Sequence, residues 1–289
     1  MPAARPIISQ RRYRHPRSWA AVLGMVAAVF SGGVPFARAD HLKLGNEGIY
    51  PPFSIVDSSG KLTGIEPTWA HEMCKRMDAD CEFMVMDFKA LIPSLLEGKF
   101  DALVSQINPL PERKAKALFS IPIVYNPDSY VVPANSHYQF TKEGLKNVKL
   151  GEQRGGADLF YIQRVLGDSV PIVLYDNPDQ IRLDLLAHRI DMTFGPKINW
   201  TLELINKPEG KDWKLDGGEY WVGDPSVPEP ERGLSWIVRK GPAGEALIKR
   251  MNAALESMMK DCTFTKIREQ YLQVPVLAAV EAPCLGKAP

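Results

Sequence analysis

FDALVSQINPLPER, residues 100–113, decides the fold of this chain. The apolar run of Phe100, Ala102, Leu103, Val104 and Ile107 predicts a buried strand, and the polar turn after it leads into a helix start at Pro111-Glu112-Arg113. Proline suits the first helical turn, where no N–H is required, and glutamate there complements the positive end of the helix dipole. Ser105, Asn108, unpaired amide N–H groups and the Arg113 guanidinium are thereby expected near one helix N-terminus. Such a place favours an anion, and arginine holds a carboxylate with two parallel hydrogen bonds. A surface arginine opening a helix is the competing reading of the segment on its own.

Working outward, short apolar strands alternate with helices. His41–Gly45 reads as a strand, followed by Asn46-Glu47-Gly48-Ile49-Tyr50-Pro51-Pro52-Phe53 and a turn at Asp57-Ser58-Ser59-Gly60. A helix is predicted over Pro67–Met77, a strand over Glu82–Met86 and a helix around Leu91–Leu96. A second unit follows Tyr130-Val131-Val132. It has strands at Val148–Gly151, Ile172–Tyr175 and Ile190–Phe194, helices at Ala157–Leu166 and Pro178–His188, and the turn Gln153-Arg154-Gly155-Gly156 between them. Trp236-Ile237-Val238 is a further strand and Ala243–Met259 a long amphipathic helix. This rhythm predicts an α/β fold with parallel or mixed sheets. Extended segments near 128–132 and 228–238 are candidate crossings between two lobes.

Residues 1–39 read as an export signal. Arg5, Arg11, Arg12, Arg14 and Arg17 precede an apolar stretch from Trp19 to Phe30, and Ala37-Arg38-Ala39 has the small-x-small pattern of a signal-peptidase site. An uncleaved membrane anchor is the rival reading, but the apolar stretch falls short of the ~20 residues a span needs. The Arg11-Arg12 pair lacks the rest of a twin-arginine pattern. The expected mature chain begins at Asp40. Of 35 basic residues six arginines lie in the leader, leaving 29 against 34 acidic residues, a balance of −5 before histidine. A mildly acidic chain has no electrostatic footprint for nucleic acid or an anionic membrane. About 250 residues can bury a substantial core in one large or two modest domains.

Four cysteines in an exported chain read as disulfides before metal ligands. Cys74 and Cys81 flank a helix end and a turn, a loop short enough to let them meet, which would leave Cys262 to pair with Cys284 and pin the Pro-rich tail. Three connectivities remain open at this point. The spacings do not suit zinc and the histidines are scattered, so no metal or cofactor is expected.

The order and spacing of several segments together resemble the extracytoplasmic solute-binding proteins of ABC importers, in the family that binds polar amino acids and related compounds. These segments are GIYPPF at 48–53 followed by GKLTGIEPTWAHEMCKR, then FKALIPSLLEGKFDALVSQINPLPERKAKALFS at 88–120 and LGEQRGGAD at 150–158. LLAHRIDMTF at 185–194 and NAALESMMKDCTFTKIREQYL at 252–272 complete the pattern, which spans nearly all of residues 41–275. The resemblance implies two α/β lobes joined by two crossing strands, with the ligand between them. Lobe one would comprise 41–128 plus 234–275, lobe two 129–233, and 276–289 a C-terminal tail. It also implies a monomer in the periplasm that delivers a small zwitterionic or carboxylate solute to an inner-membrane ABC permease.

Carried over by position, Tyr50 and Phe88 match aromatic positions that sandwich the ligand, with core packing as the alternative for each. Ser105, Asn108 and Arg113 match positions that hold a ligand carboxylate. Gly156 and Ala157 match a second-lobe turn where a threonine hydroxyl often assists; Ala157 keeps only its backbone N–H. Pro196 stands where amino-acid binders of this family commonly carry an aspartate for the ligand's α-ammonium, and proline offers neither charge nor donor. An unpaired buried ammonium is costly, so the departure points towards opine-like, ectoine-like or betaine ligands unless Asp158 or Glu47 supplies the charge. For Asp158 the alternative is complementing a helix N-terminus. Some relatives of this fold are cyclohexadienyl dehydratases that keep the carboxylate-binding arginine. Catalysis would need an acid or base with a shifted pKa in the cleft, and Glu47 or Asp158 would be the group. No Ser-His-Asp arrangement, phosphate loop or metal cluster is present in the sequence, so no catalytic residues are assigned.

Overall fold

The computed structural model describes residues 40–286. The expected leader and its cleavage site lie outside the described residues. In chain order the strands are β1 (Asp40–Asn46), β2 (Ile49–Tyr50), β3 (Ser54–Val56), β4 (Leu62–Thr63), β5 (Ala79–Val85), β6 (Ala102–Ile107), β7 (Ala117–Phe119), β8 (Asp128–Pro133), β9 (Leu150–Gln153), β10 (Ile172–Tyr175), β11 (Met192–Pro196), β12 (Trp213–Tyr220) and β13 (Ser235–Arg239). Two mixed five-stranded sheets result, ordered β5-β1-β6-β13-β7 and β10-β9-β11-β8-β12, while β2, β3 and β4 form a small antiparallel sheet.

Each large sheet is covered on both faces, and the side-chain period of two distributes each strand between two cores. Ala102 and Val104 of β6 join Leu42, Leu44, Trp69, Met73, Met251 and Leu255 on one face. Leu103 and Ile107 join Leu91, Leu95, Phe100 and Ile237 on the other. In the second sheet Tyr130, Val132, Leu150 and Phe194 face one core, and Val131, Ile190 and Trp213 the opposite one. The helices Ile65–Arg76 and Pro242–Lys260 supply the first of these layers and Phe88–Leu96 the second. Gly45 is required where β1 passes Phe100, since a Cβ there would lie 2.5 Å from the ring.

The chain leaves the first sheet after β7 and returns before β13, and Val124 and Leu234 of the two connecting segments pair antiparallel. The first crossing therefore precedes the segment expected near 128–132, while Leu234 of the second lies within the expected 228–238. Asp128 is already a sheet residue, paired with Pro196 on one side and Tyr220 on the other. Strand β12 has no counterpart in the sequence reading. Gly217 and Gly218, at φ 80° and 94°, sit at a register shift between Asp216 and Tyr220, and they disguise the strand as a loop. Both expected disulfides are formed, Cys74–Cys81 and Cys262–Cys284. The segment after Leu272 is packed: the fully buried Arg268 pairs with buried Glu281 at 2.8 Å, whose other oxygen accepts from Val276 and Leu277 N–H.

Candidate functional site

The carboxyl ends of β1, β6, β9 and β11 and the first residue of β8 converge between the two sheets, the position where open α/β sheets present ligand sites. A cavity lies there, lined from both sheets. Nine of the ten residues singled out from sequence line it: Glu47, Tyr50, Phe88, Ser105, Asn108, Arg113, Ala157, Asp158 and Pro196. Gly156 does not; it is the N-cap residue of the Ala157–Leu166 helix, with an extended backbone that turns the chain into that helix. Glu66, Gln106, Gln153 and Leu234 also line the cavity and were not anticipated. Gln106 lies in the 100–113 segment, on β6 next to Ser105, with no charge to mark it. The others are conveyed by chain crossings and helix packing that no local pattern signals.

Local chemistry positions each group. Fully buried Asn46 donates to the Val104 carbonyl at 2.5 Å and accepts from Gly48 N–H at 2.7 Å, so the loop that carries Glu47 and Tyr50 is bound to β6. Gly48, at φ 73°, supplies the left-handed turn. Phe88 opens its helix after the N-cap Asp87. Arg113 sits in the single helical turn Pro111–Lys114, as expected, but it is buried rather than at the surface. Its guanidinium donates to the Asn108 carbonyl at 3.3 Å and, across the cavity, to the Gly155 carbonyl at 2.9 Å. It also lies 5.8 Å from the centre of the Phe88 ring, a cation–π distance. Other contacts tie the two sides together: Gln153 Nε2 donates to Glu47 at 2.5 Å, Lys89 pairs with Asp176 at 2.8 Å and Asn199 donates to the Pro51 carbonyl at 2.8 Å.

The site is rich in buried carboxyl groups. Burial pushes Glu47 up to about 8, opposed by the Gln153 hydrogen bond and reinforced by Asp87. Burial likewise pushes Glu66 up to about 8, against the hydrogen bond it accepts from Trp236 Nε1 at 3.0 Å. Asp158 is raised less, to about 6, because Arg113 and a hydrogen bond from Asp128 counter its desolvation. Asp128 and Glu152 behind it are buried and held well above the usual carboxylate range. Burial lowers Arg113 to about 10, so it stays charged at neutral pH. At pH 7 the cavity thus presents one guanidinium and one ionised carboxylate, Asp158, with Glu47 and Glu66 mostly protonated. The charged atoms of Arg113 and Asp158 are not within the 4.0 Å of a direct ion pair. A molecule with both charges can insert between them.

Residues 42–274 match the bacterial extracellular solute-binding proteins, family 3. The histidine-binding periplasmic protein of Escherichia coli K12 is 30% identical over 259 residues, which are 88% of this chain and 96% of that one. The lysine/arginine/ornithine-binding periplasmic protein of the same organism is 30% identical over 246 residues, 83% of this chain and 90% of that one. Among solved structures, an ancestral arginine-binding protein bound to arginine superposes with a TM-score of 0.71 at 28% identity, covering 81% of this chain and 99% of that one. With its two sheets, its cavity between them and this match over most of its length, the chain belongs to the bacterial extracellular solute-binding proteins of family 3.

Proposed function

We propose that this protein is the periplasmic solute-capturing subunit of an ABC importer, and that its solute is an amino acid or an amino-acid-like zwitterion. The observation that carries the reading is the pairing of Arg113 with Asp158 across one buried cavity, opposite charges held apart beside Tyr50 and Phe88. The Arg113 fork, with Ser105 and Asn108, takes the carboxylate. Ala157 contributes its N–H from the helix N-terminus. Tyr50 and Phe88 flank the side chain. The relatives whose names specify histidine, arginine, lysine or ornithine support a nitrogen-containing solute.

Binding rather than turnover is the activity, and no cofactor takes part. The leader is removed after Ala39, and the mature chain works as a monomer with lobes 41–128 plus 234–275 and 129–233. N-terminal sequencing of the exported protein and size-exclusion chromatography test those two statements. The main experiment is a thermal-shift screen over amino acids, opines, ectoines and betaines, because a ligand that binds only the native state raises Tm. Deleting the gene should abolish uptake of the best binder; unchanged uptake refutes delivery to a permease.

A further inference from the structure

We infer that Asp224, on the segment that carries the chain from the second sheet back to the first, is a positioning residue for Arg113: it clasps the turn Pro111–Lys114 at both ends and so sets the guanidinium that grips the ligand. The inference rests on the role given to Arg113 above and adds the residue that holds it in place. A four-residue helix does not hold itself, since one hydrogen-bonded turn is unfavourable on its own. Leu110 before it provides no side-chain cap. The placement of Arg113 therefore depends on tertiary contacts.

Those contacts come from the second sheet and from the connection that leaves it. Leu110 is 2% exposed and shares a buried core with Tyr130, Val132, Phe194 and Val222. Two residues beyond Val222, the Asp224 N–H donates to the Pro109 carbonyl at 3.2 Å, and the Asp224 carboxylate pairs with Lys114 Nζ at 3.0 Å. One residue thus fastens the chain on either side of Arg113. Asp224 is itself held. Its Oδ1 accepts from the Ser226 N–H at 2.9 Å and the Ser226 hydroxyl at 2.6 Å, which leaves Oδ2 for Lys114. Its carbonyl accepts from Trp221 Nε1 at 2.9 Å and from the Val227 N–H at 3.2 Å. The bonds from Ser226, with that from Lys114, push the carboxyl down to about 2, so the clasp stays charged at neutral pH. The same segment ends at Leu234, which pairs with Val124 of the other connection. Asp224 therefore ties the relative placement of the two sheets to the grip of Arg113. A two-pronged hold on a carboxylate needs the guanidinium plane fixed, and a frayed turn spreads that plane over several positions.

Lys114 is 44% exposed, so the ion pair is screened and its loss is modest. Calorimetric titration with L-arginine, L-lysine, L-histidine and octopine first identifies the tightest of the four for the wild type. Asp224→Asn, which keeps an acceptor for Ser226, and Lys114→Met should each weaken that ligand about two- to fivefold. The double variant should lose no more than either alone. In an Arg113→Lys background, where the fork is absent, Asp224→Asn should change affinity by less than about 1.5-fold. The Arg113 and Lys114 amides both donate to the Leu110 carbonyl, and without ligand their hydrogen exchange should quicken about two- to fivefold in Asp224→Asn, while β1 and β9 exchange as in the wild type. Unchanged affinity, multiplied losses in the double variant or an equal effect in the Arg113→Lys background overturns the inference, and so does unchanged exchange at the turn. If the wild type binds none of the four, it is the amino-acid reading of the solute that fails, and the exchange measurement alone then decides whether Asp224 orders the turn. Thermal melting establishes that each variant is folded.

Discussion

Replacing Arg113 by alanine should abolish most ligand binding while leaving the fold intact. The guanidinium is 6% exposed, its pKa of about 10 keeps it charged at neutral pH, and it faces a cavity whose other side holds Asp158. Removing one partner of a desolvated, charge-assisted pair costs about 2–5 kcal/mol, or roughly 30-fold to several-thousand-fold in Kd. The substitution also deletes the hydrogen bond to the Gly155 carbonyl that links the two sides of the cleft. Gly155 is partly exposed, so water can replace that donor, and the loss of a buried charge offsets part of the cost. The melting temperature without ligand should therefore change by only about 2–4 °C. Arg113→Lys keeps the charge and loses the fork, so it should fall between wild type and alanine. Calorimetric titration with the best ligand from the thermal screen measures all three. If Arg113→Ala binds within about threefold of wild type, the carboxylate is held elsewhere and the proposed orientation of the ligand is wrong.

Three other outcomes follow from the geometry. Opening Cys262–Cys284, which closes a 22-residue separation, should cost about 3 kcal/mol against about 2 for the 7-residue Cys74–Cys81 loop; urea titrations of the paired serine variants would show it, and four alkylatable thiols in the denatured, unreduced protein would contradict both bonds. Glu66 is raised to about 8 in the fold, so the neutral form is favoured and stability is lost as pH rises from about 4.5 to about 8. Glu66→Gln, which still accepts from Trp236, should flatten the fall of Tm over that window; parallel curves for the two proteins would refute the burial argument. Pro196→Asp should weaken amine binding at pH 7 rather than strengthen it, because a third carboxyl beside Asp128 and Asp158 raises their proton affinity; tighter binding of free amino acids by calorimetry would show that the corner still wants a charge.

Much of this protein was legible in its sequence because the determining forces act within a few residues. The alternation in β6, the proline-opened turn that carries Arg113 and the export-linked reading of the cysteines depend on local backbone and side-chain chemistry. The order of the motifs was enough to single out nine residues that line the cavity. Tertiary structure alone brought Glu66, Gln153 and Leu234 to the cavity, and it joined Asp128 to Asp158 through the pairing of β8 with β11. The same packing decided which acids are ionised: Asp158 and Glu66 are both lone carboxyl groups between glycine, proline and apolar neighbours near a helix start, yet Arg113 faces one and desolvation dominates the other. Charge state in a cleft is set by what surrounds a group in space, and those neighbours come from segments tens of residues apart, beyond the reach of any local pattern.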